Sequence, residues 1–191
     1  MDQPAPYGAS APARITFHAG QSGQWSVIDQ SACIGEGLPR APSIAIDTNA
    51  GDNGRNSLWS LSGFTSNLRY TSQKDRSSLD MLSAPLGRGE ARFAALIPIC
   101  KSPQWWALAQ DQRQDIYARS AHTAIGMRYL PQIARKLFHS RDLGQPFDFL
   151  TWFEFAPEAS HAFDDLLANL RATEEWSYVI REVDIRLTRI G

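Results

Sequence analysis

From Ala91 onward the apolar residues of this chain switch repeatedly between two spacings, and that switching limits the fold more than any other feature. ARFAALIPIC (91–100) is an apolar run of strand length. Ser102 followed by Pro103 is a helix start: the hydroxyl can cap, and proline's missing N–H is harmless at the first helical position. Asp111, with Gln114 three residues on, reads as a second start of capping-box type. Helix is therefore expected to continue until Gly126 and Pro131 interrupt it. RKLFHS (135–140) and FDFLTWFEF (147–155) follow as strands. HAFDDLLANLRAT (161–173) places Phe163, Leu166, Leu167 and Leu170 at helical spacing, and VIREVDIRLTRI (179–190) alternates as a closing strand. The order β, α, β, β, α, β is that of a ferredoxin-like unit.

The preceding residues are richer in strand. Residues 1–12 are a tail of Pro, Ala, Ser and Gly. RITFHAG (14–20), QWSVID (24–29) and SIAID (43–47) read as strands, and TNAGDNGRN (48–56) as a connecting loop. SLWSLSGFTSNLRYTS (57–72) reads as a further strand, and KDRSSLDMLSA (74–84) as a short helix ending near Pro85 and Gly87. The chain thus divides into residues 1–90 and 91–191, the first a candidate degraded copy of the second, with no sequence repeat tying the two together.

With 191 residues, 43% of them hydrophobic, the chain can bury one compact core or two small fused ones. A formal net charge of −1 supplies no global field toward nucleic acid or an anionic membrane. Cys33 and Cys100 lack metal-ligand spacing and read as buried thiols. No window reaches the ~18 apolar residues of a membrane helix, and MDQPAPYGASAPAR lacks the basic start and apolar run of a secretory signal. The expectation is a cytoplasmic protein.

Residues able to do chemistry concentrate between Lys101 and Glu154: Trp105 and Trp106, then His122, then Arg135 thirteen positions later. A histidine beside aromatic surface can ligate a metal or a haem iron, and an arginine near it can hold an anion. On residue type alone, however, a lone helical histidine is more often a packed or surface residue. His18, His139 and His161 read as structural or surface.

The segments SNLRYTS (66–72), LIPICKSPQWW (96–106), SAHTAIG (120–126), ARKLFHSRDLG (134–144), PFDFLTWFEFAPE (146–158) and ATEEW (172–176) resemble, in this order, the chlorite dismutase family of haem b proteins. The resemblance implies an α+β fold in which two ferredoxin-like units join their antiparallel sheets into an α+β barrel of the dimeric α/β barrel superfamily. It implies one haem b per subunit, in the unit 91–191, and none in 1–90. The short chain resembles the branch that forms homodimers.

On that resemblance His122 is the axial iron ligand. Glu175 hydrogen-bonds the ring nitrogen facing away from iron, fixing the tautomer and making the imidazole more electron-rich. Glu174 is the adjacent alternative. Arg135 is the catalytic arginine over the open face, steering chlorite in and holding hypochlorite close until the O–O bond forms. Lys136, next in the strand, points the other way. Of Trp105 and Trp106, one bonds a haem propionate and the other packs near the histidine; Lys101, Asn67 and Tyr70 are further propionate contacts, and Met127 lines the haem edge. Leu82 stands where short relatives carry a glutamine held against the arginine, a departure that frees Arg135 to swing. The reaction implied is chlorite to chloride and dioxygen. The alternatives are a coproheme decarboxylase, against which Arg135 speaks, and a haem-binding or sensing protein without turnover.

Overall fold

The computed structural model describes residues 14–48, 56–65 and 83–190. Its strands are β1 (Arg14–Gly20), β2 (Trp25–Ile34), β3 (Ser43–Asp47), β4 (Trp59–Thr65), β5 (Phe93–Lys101), β6 (Ala134–His139), β7 (Phe149–Phe155) and β8 (Val179–Arg189). The helices are α1 (Pro103–Ala107), α2 (Gln110–Arg119), α3 (His122–Met127) and α4 (Ser160–Arg171). A 3₁₀ turn, Glu174–Tyr178, leads into β8.

The strands close into an antiparallel barrel in the order β1-β3-β2-β8-β5-β7-β6-β4. The segment β8-β5-β7-β6 is the ferredoxin order, with the fourth strand beside the first and the third beside the second. Strands β4-β1-β3-β2 repeat that order, a likeness between the halves that no sequence repeat displays. The halves join where β2 pairs β8 and where β4 pairs β6. At the second seam Gly63 allows close approach, because a Cβ there would lie 2.8 Å from the Cβ of Phe138.

Period-two alternation divides the apolar residues into two layers. Phe17, Trp25, Ile44, Leu61, Leu96, Phe138, Trp152 and Ile185, from all eight strands, fill the barrel. Ala95, Ile97, Phe153 and Phe155 face outward beneath α4, whose Phe163, Leu166, Leu167 and Leu170 cover them. Each Leu, Ile or Phe among them contributes about 1.5–3 kcal/mol on burial. α4 therefore holds to the sheet by its apolar stripe, and the outer face left beside it is available for a site.

Three expectations need correction. The region 103–127 is three short helices, not one run broken at Gly126: α1 ends at Ala107, and Ala121, with a left-handed φ of 49°, separates α2 from α3. The capping interaction is also displaced, with the Gln112 side chain accepting from the N–H of Ala109 at 2.9 Å while Asp111 lies within the first turn. Helical periodicity misleads here because a 3.6-residue stripe persists across loops that tertiary packing bends. Cys33 is exposed and Cys100 only partly buried, both as free thiols. Ser102 does cap α1, its hydroxyl accepting from the Trp105 N–H, with Pro103 at the start. Asn67, Tyr70, Leu82 and most of the helix expected at 74–84 lie outside the described residues.

Candidate functional site

The outer face of β5, β6 and β7 forms one wall of a partly open, mostly apolar cavity. Alternation brings Ile97, Ile99 and Lys101 of β5, Arg135, Leu137 and His139 of β6, and Phe149, Thr151 and Phe153 of β7 to that wall. The cross-strand register aligns them in rows: Arg135 opposite Phe153, Leu137 opposite Thr151, His139 opposite Phe149. The opposite side is made by Trp105, Tyr117, His122, Glu175 and Trp176, with Leu167 and Leu170 of α4 beside them. Lys136 is exposed and absent from the lining, as strand alternation requires.

His122 opens α3 directly after the left-handed Ala121. Its Nδ1 lies 2.8 Å from Glu175 Oε2. The other oxygen of Glu175 accepts from Lys101 Nζ at 2.9 Å, and the same ammonium donates to the Glu175 carbonyl at 3.0 Å. The Glu175 N–H donates to Ser120 Oγ at 3.0 Å, so the backbone carrying the carboxylate is fixed as well. Burial pushes the Glu175 pKa up, but the hydrogen bond and charge at His122, with the Lys101 ammonium, outweigh it and bring it down to about 2. Burial pushes Lys101 below its ordinary value, with Glu175 pulling it back. The result is a buried anion between a cation and an imidazole, with the far ring nitrogen left for another partner. Glu174, its neighbour in the 3₁₀ turn, points elsewhere and pairs with Arg119 at the surface at 2.9 Å.

The two tryptophans have different environments. Trp106 donates its indole N–H to Asp148 Oδ2 at 3.2 Å, stacks on Phe149, and carries the Arg141 guanidinium 3.8 Å from its ring centroid. The Trp105 ring is 1% exposed, lies 4.6 Å from Lys101 Nζ, and has a buried N–H with no partner. A buried donor left unbonded is unfavourable unless something outside the chain accepts from it.

Arg135 reaches back across the cavity toward α3, where a Cβ on Gly126 would lie 3.3 Å from its Nη1. Its guanidinium also meets the Tyr117 hydroxyl, which bonds Thr123 as well. The Tyr117 ring stacks on His122 at 4.8 Å between centroids and an interplanar angle of 23°. Burial raises the Tyr117 pKa, against the lowering effect of Arg135.

A family model described as chlorite dismutase matches residues 52–190. The chain belongs to the chlorite dismutase family. It is 36% identical over 124 residues to the chlorite dismutase of Ideonella dechloratans, an alignment covering 64% of this chain and 42% of that protein. The chain thus spans less than half the length of this relative. Its fold is similar to that of a dimeric chlorite dismutase from Nitrobacter winogradskyi, at 48% identity and a TM-score of 0.87, covering 92% of this chain and 99% of the other. A chlorite dismutase variant from Candidatus Nitrospira defluvii, at 19% identity and a TM-score of 0.70 over 94% and 92% of the two chains, shares the fold.

Against the expectations for this chlorite dismutase family chain, His122, Glu175, Lys101, Trp105 and Arg135 meet at one cavity. Lys101 does so as a partner of Glu175, its ammonium held by that residue. Trp106 touches the wall from behind, through Phe149, and Met127 is not among the lining residues. His139 is in the cavity wall, contrary to its reading as structural or surface; its spacing of four from Arg135 along one strand was the signal. His18 does fit that reading, with Nδ1 bonded to Ser60 Oγ at 2.9 Å, and His161 is exposed. Tyr117 carried no sequence signal, because its place depends on the turn at Ala121; Trp176 lies in the quoted ATEEW segment but has no role legible there, because its contacts depend on the buried face of β8. Among the described residues no helix is long and apolar enough to cross a membrane.

Proposed function

We propose that this chain is a haem b enzyme that converts chlorite to chloride and dioxygen, working as a homodimer. The observation that carries the reading is the chain Lys101–Glu175–His122 sharing one mostly apolar cavity with Arg135. A histidine with one ring nitrogen committed to a buried carboxylate is oriented to ligate iron through the other, and the carboxylate makes it a stronger donor.

The remaining lining suits a tetrapyrrole. Apolar side chains from three strands and α4 fit a flat ring system. The unpartnered indole N–H of Trp105 suits a propionate oxygen. In this reading the N-terminal unit, residues 1–90, holds no haem and completes the barrel, while residues 91–191 carry the site. Asn67, Tyr70 and Met127 are retained from the family likeness as contacts at the haem margin.

Bound haem supplies the iron at which chlorite is reduced and dioxygen assembled. The protein's part is orientation and charge. His122 would hold the iron, Glu175 would keep the imidazole an electron-rich ligand, and the apolar wall would limit water at the site. Arg135 draws the chlorite anion in and retains the hypochlorite anion, using its planar fork of donors. The 48%-identical relative is a dimeric enzyme, which supports the homodimer.

Oxygen-electrode traces on purified protein given chlorite test the activity, and the extracted tetrapyrrole tests the cofactor. Dioxygen release with haem b is the expected result. Coprohaem in the extract would favour a decarboxylase, and haem b without dioxygen release would favour a binding or sensing protein.

A further inference from the structure

Glu182, on β8, is a fully buried carboxylate at 0% exposure. Its Oε1 accepts from Arg171 Nε at 2.8 Å and Nη2 at 2.5 Å. Its Oε2 accepts the indole N–H of Trp176 at 3.0 Å. Trp176 lines the cavity and is the residue after Glu175 in the same 3₁₀ turn. That turn is therefore gripped from two directions. Ser120, Lys101 and His122 hold Glu175 from the cavity side, and β8 holds Trp176 from beneath through Glu182. Consecutive residues of a 3₁₀ helix point about 120° apart, so a shift at one rotates the other.

Breaking a buried, paired carboxylate leaves a charged or polar remainder in low dielectric, which the structure relieves by moving. The movement open to this turn alters the 2.8 Å contact between Glu175 and His122. We propose that Glu182, acting through Trp176, is a positioning residue for the Glu175–His122 pair and thereby for retention of the haem. The inference rests on the reading of His122 as the haem ligand.

The barrel core contains a matched pair that separates this role from simple stability. Trp152 donates its indole N–H to Glu154 Oε1 at 2.9 Å, both side chains are buried, and neither lines the cavity. The experiment measures the rate at which haem b leaves the loaded protein for a haem-scavenging apoprotein, and the urea midpoint of the unloaded protein. The variants are Glu182→Gln, Trp176→Phe, Glu154→Gln, Glu175→Gln and the double variant Glu175→Gln with Glu182→Gln.

Glu182→Gln and Trp176→Phe are expected to release haem about tenfold faster or more, the scale on which partners of a metal ligand act. Glu154→Gln is expected to lose stability while releasing haem at the wild-type rate. In the Glu175→Gln background, Glu182→Gln is expected to add no more than about twofold, because the route runs through Glu175. Equal release from Glu182→Gln and Glu154→Gln, or effects of Glu182 and Glu175 that multiply, would overturn the inference. Should Glu182→Gln fail to fold, Trp176→Phe carries the same comparison. A wild-type protein that takes up no haem defeats the haem reading itself, whereas normal uptake with unchanged release in the variants defeats this inference alone.

Discussion

Glu175 Oε2 stands 2.8 Å from His122 Nδ1, across 53 positions of sequence. Neither residue could reach the other without the left-handed turn at Ala121 and the 3₁₀ turn before β8. Because Lys101 occupies the second oxygen, the carboxylate stays ionised beside the imidazole and cannot turn away.

His122→Ala is expected to abolish or severely weaken haem binding. His139, the other histidine in the cavity wall, lies on the opposite sheet face of the cavity, in the row of Phe149. Absorbance titration with haem b checks this; a variant with full haem and an unchanged spectrum would remove the ligand assignment.

Glu175 gives the unloaded protein a defined acid response. Its pKa of about 2 in the folded chain lies below an unfolded carboxylate value of about 4.3. Its contribution to stability is therefore complete above the unfolded value and is lost as pH falls from there toward 2. Urea unfolding between neutral pH and pH 3 should show this loss in the wild type and a flatter acid limb in Glu175→Gln. In the loaded protein the same variant should raise the iron reduction potential, since the anionic partner of the imidazole is gone. A potential that moves only for a Glu174 variant would contradict the geometry.

The two tryptophans should respond differently to phenylalanine. Trp106→Phe removes one of two donors to buried Asp148 Oδ2, which keeps the Lys101 N–H at 2.7 Å, and is expected to lower stability by about 1 kcal/mol, the scale of one lost hydrogen bond. Trp105→Phe removes a donor that no protein group uses, so its expected loss is in haem affinity. Thermal unfolding without haem, beside haem titration, separates the two; equal effects on both measures would deny Trp105 its role.

Arg135→Ala should keep normal haem content and a normal spectrum of the His122-bound iron while chlorite turnover falls. A charge contact made in the transition state is worth about 3 kcal/mol, or roughly a hundredfold in rate. More hypochlorite should escape, so a chlorine-transfer trap should respond more strongly and the enzyme should inactivate sooner. Arg135→Lys should recover part of the activity, because a point charge lacks the planar fork. Equal dioxygen yield and equal trapping across all three proteins would transfer attention to Arg128 and Arg69.

Light scattering on the purified protein should give the mass of two chains. A pentamer would contradict the dimeric assignment.

Much of the architecture is visible in apolar spacing. The unit from β5 to β8 follows from strand-length runs and the stripe Phe163, Leu166, Leu167 and Leu170, since burying those residues is what drives the fold. The Ser102–Pro103 start is equally legible, because capping is a local interaction. Alternation along RKLFHS determines that Arg135 and His139 share a face and that Lys136 does not. The quoted motifs carried the family. What spacing could not decide was where the helical stretch bends, since the left-handed Ala121 is imposed by packing of α2 and α3, not by alanine's own preference. It also left Glu174 and Glu175 as equals, because both are acidic and adjacent; only the turn sends one to Arg119 and the other to His122. The parallel strand order of the two halves, the Lys101 contact with Glu175 and the grip of Glu182 on Trp176 are likewise tertiary. Each joins groups far apart in sequence, whose energies arise from desolvation and charge pairing inside the folded chain, and local patterns record neither.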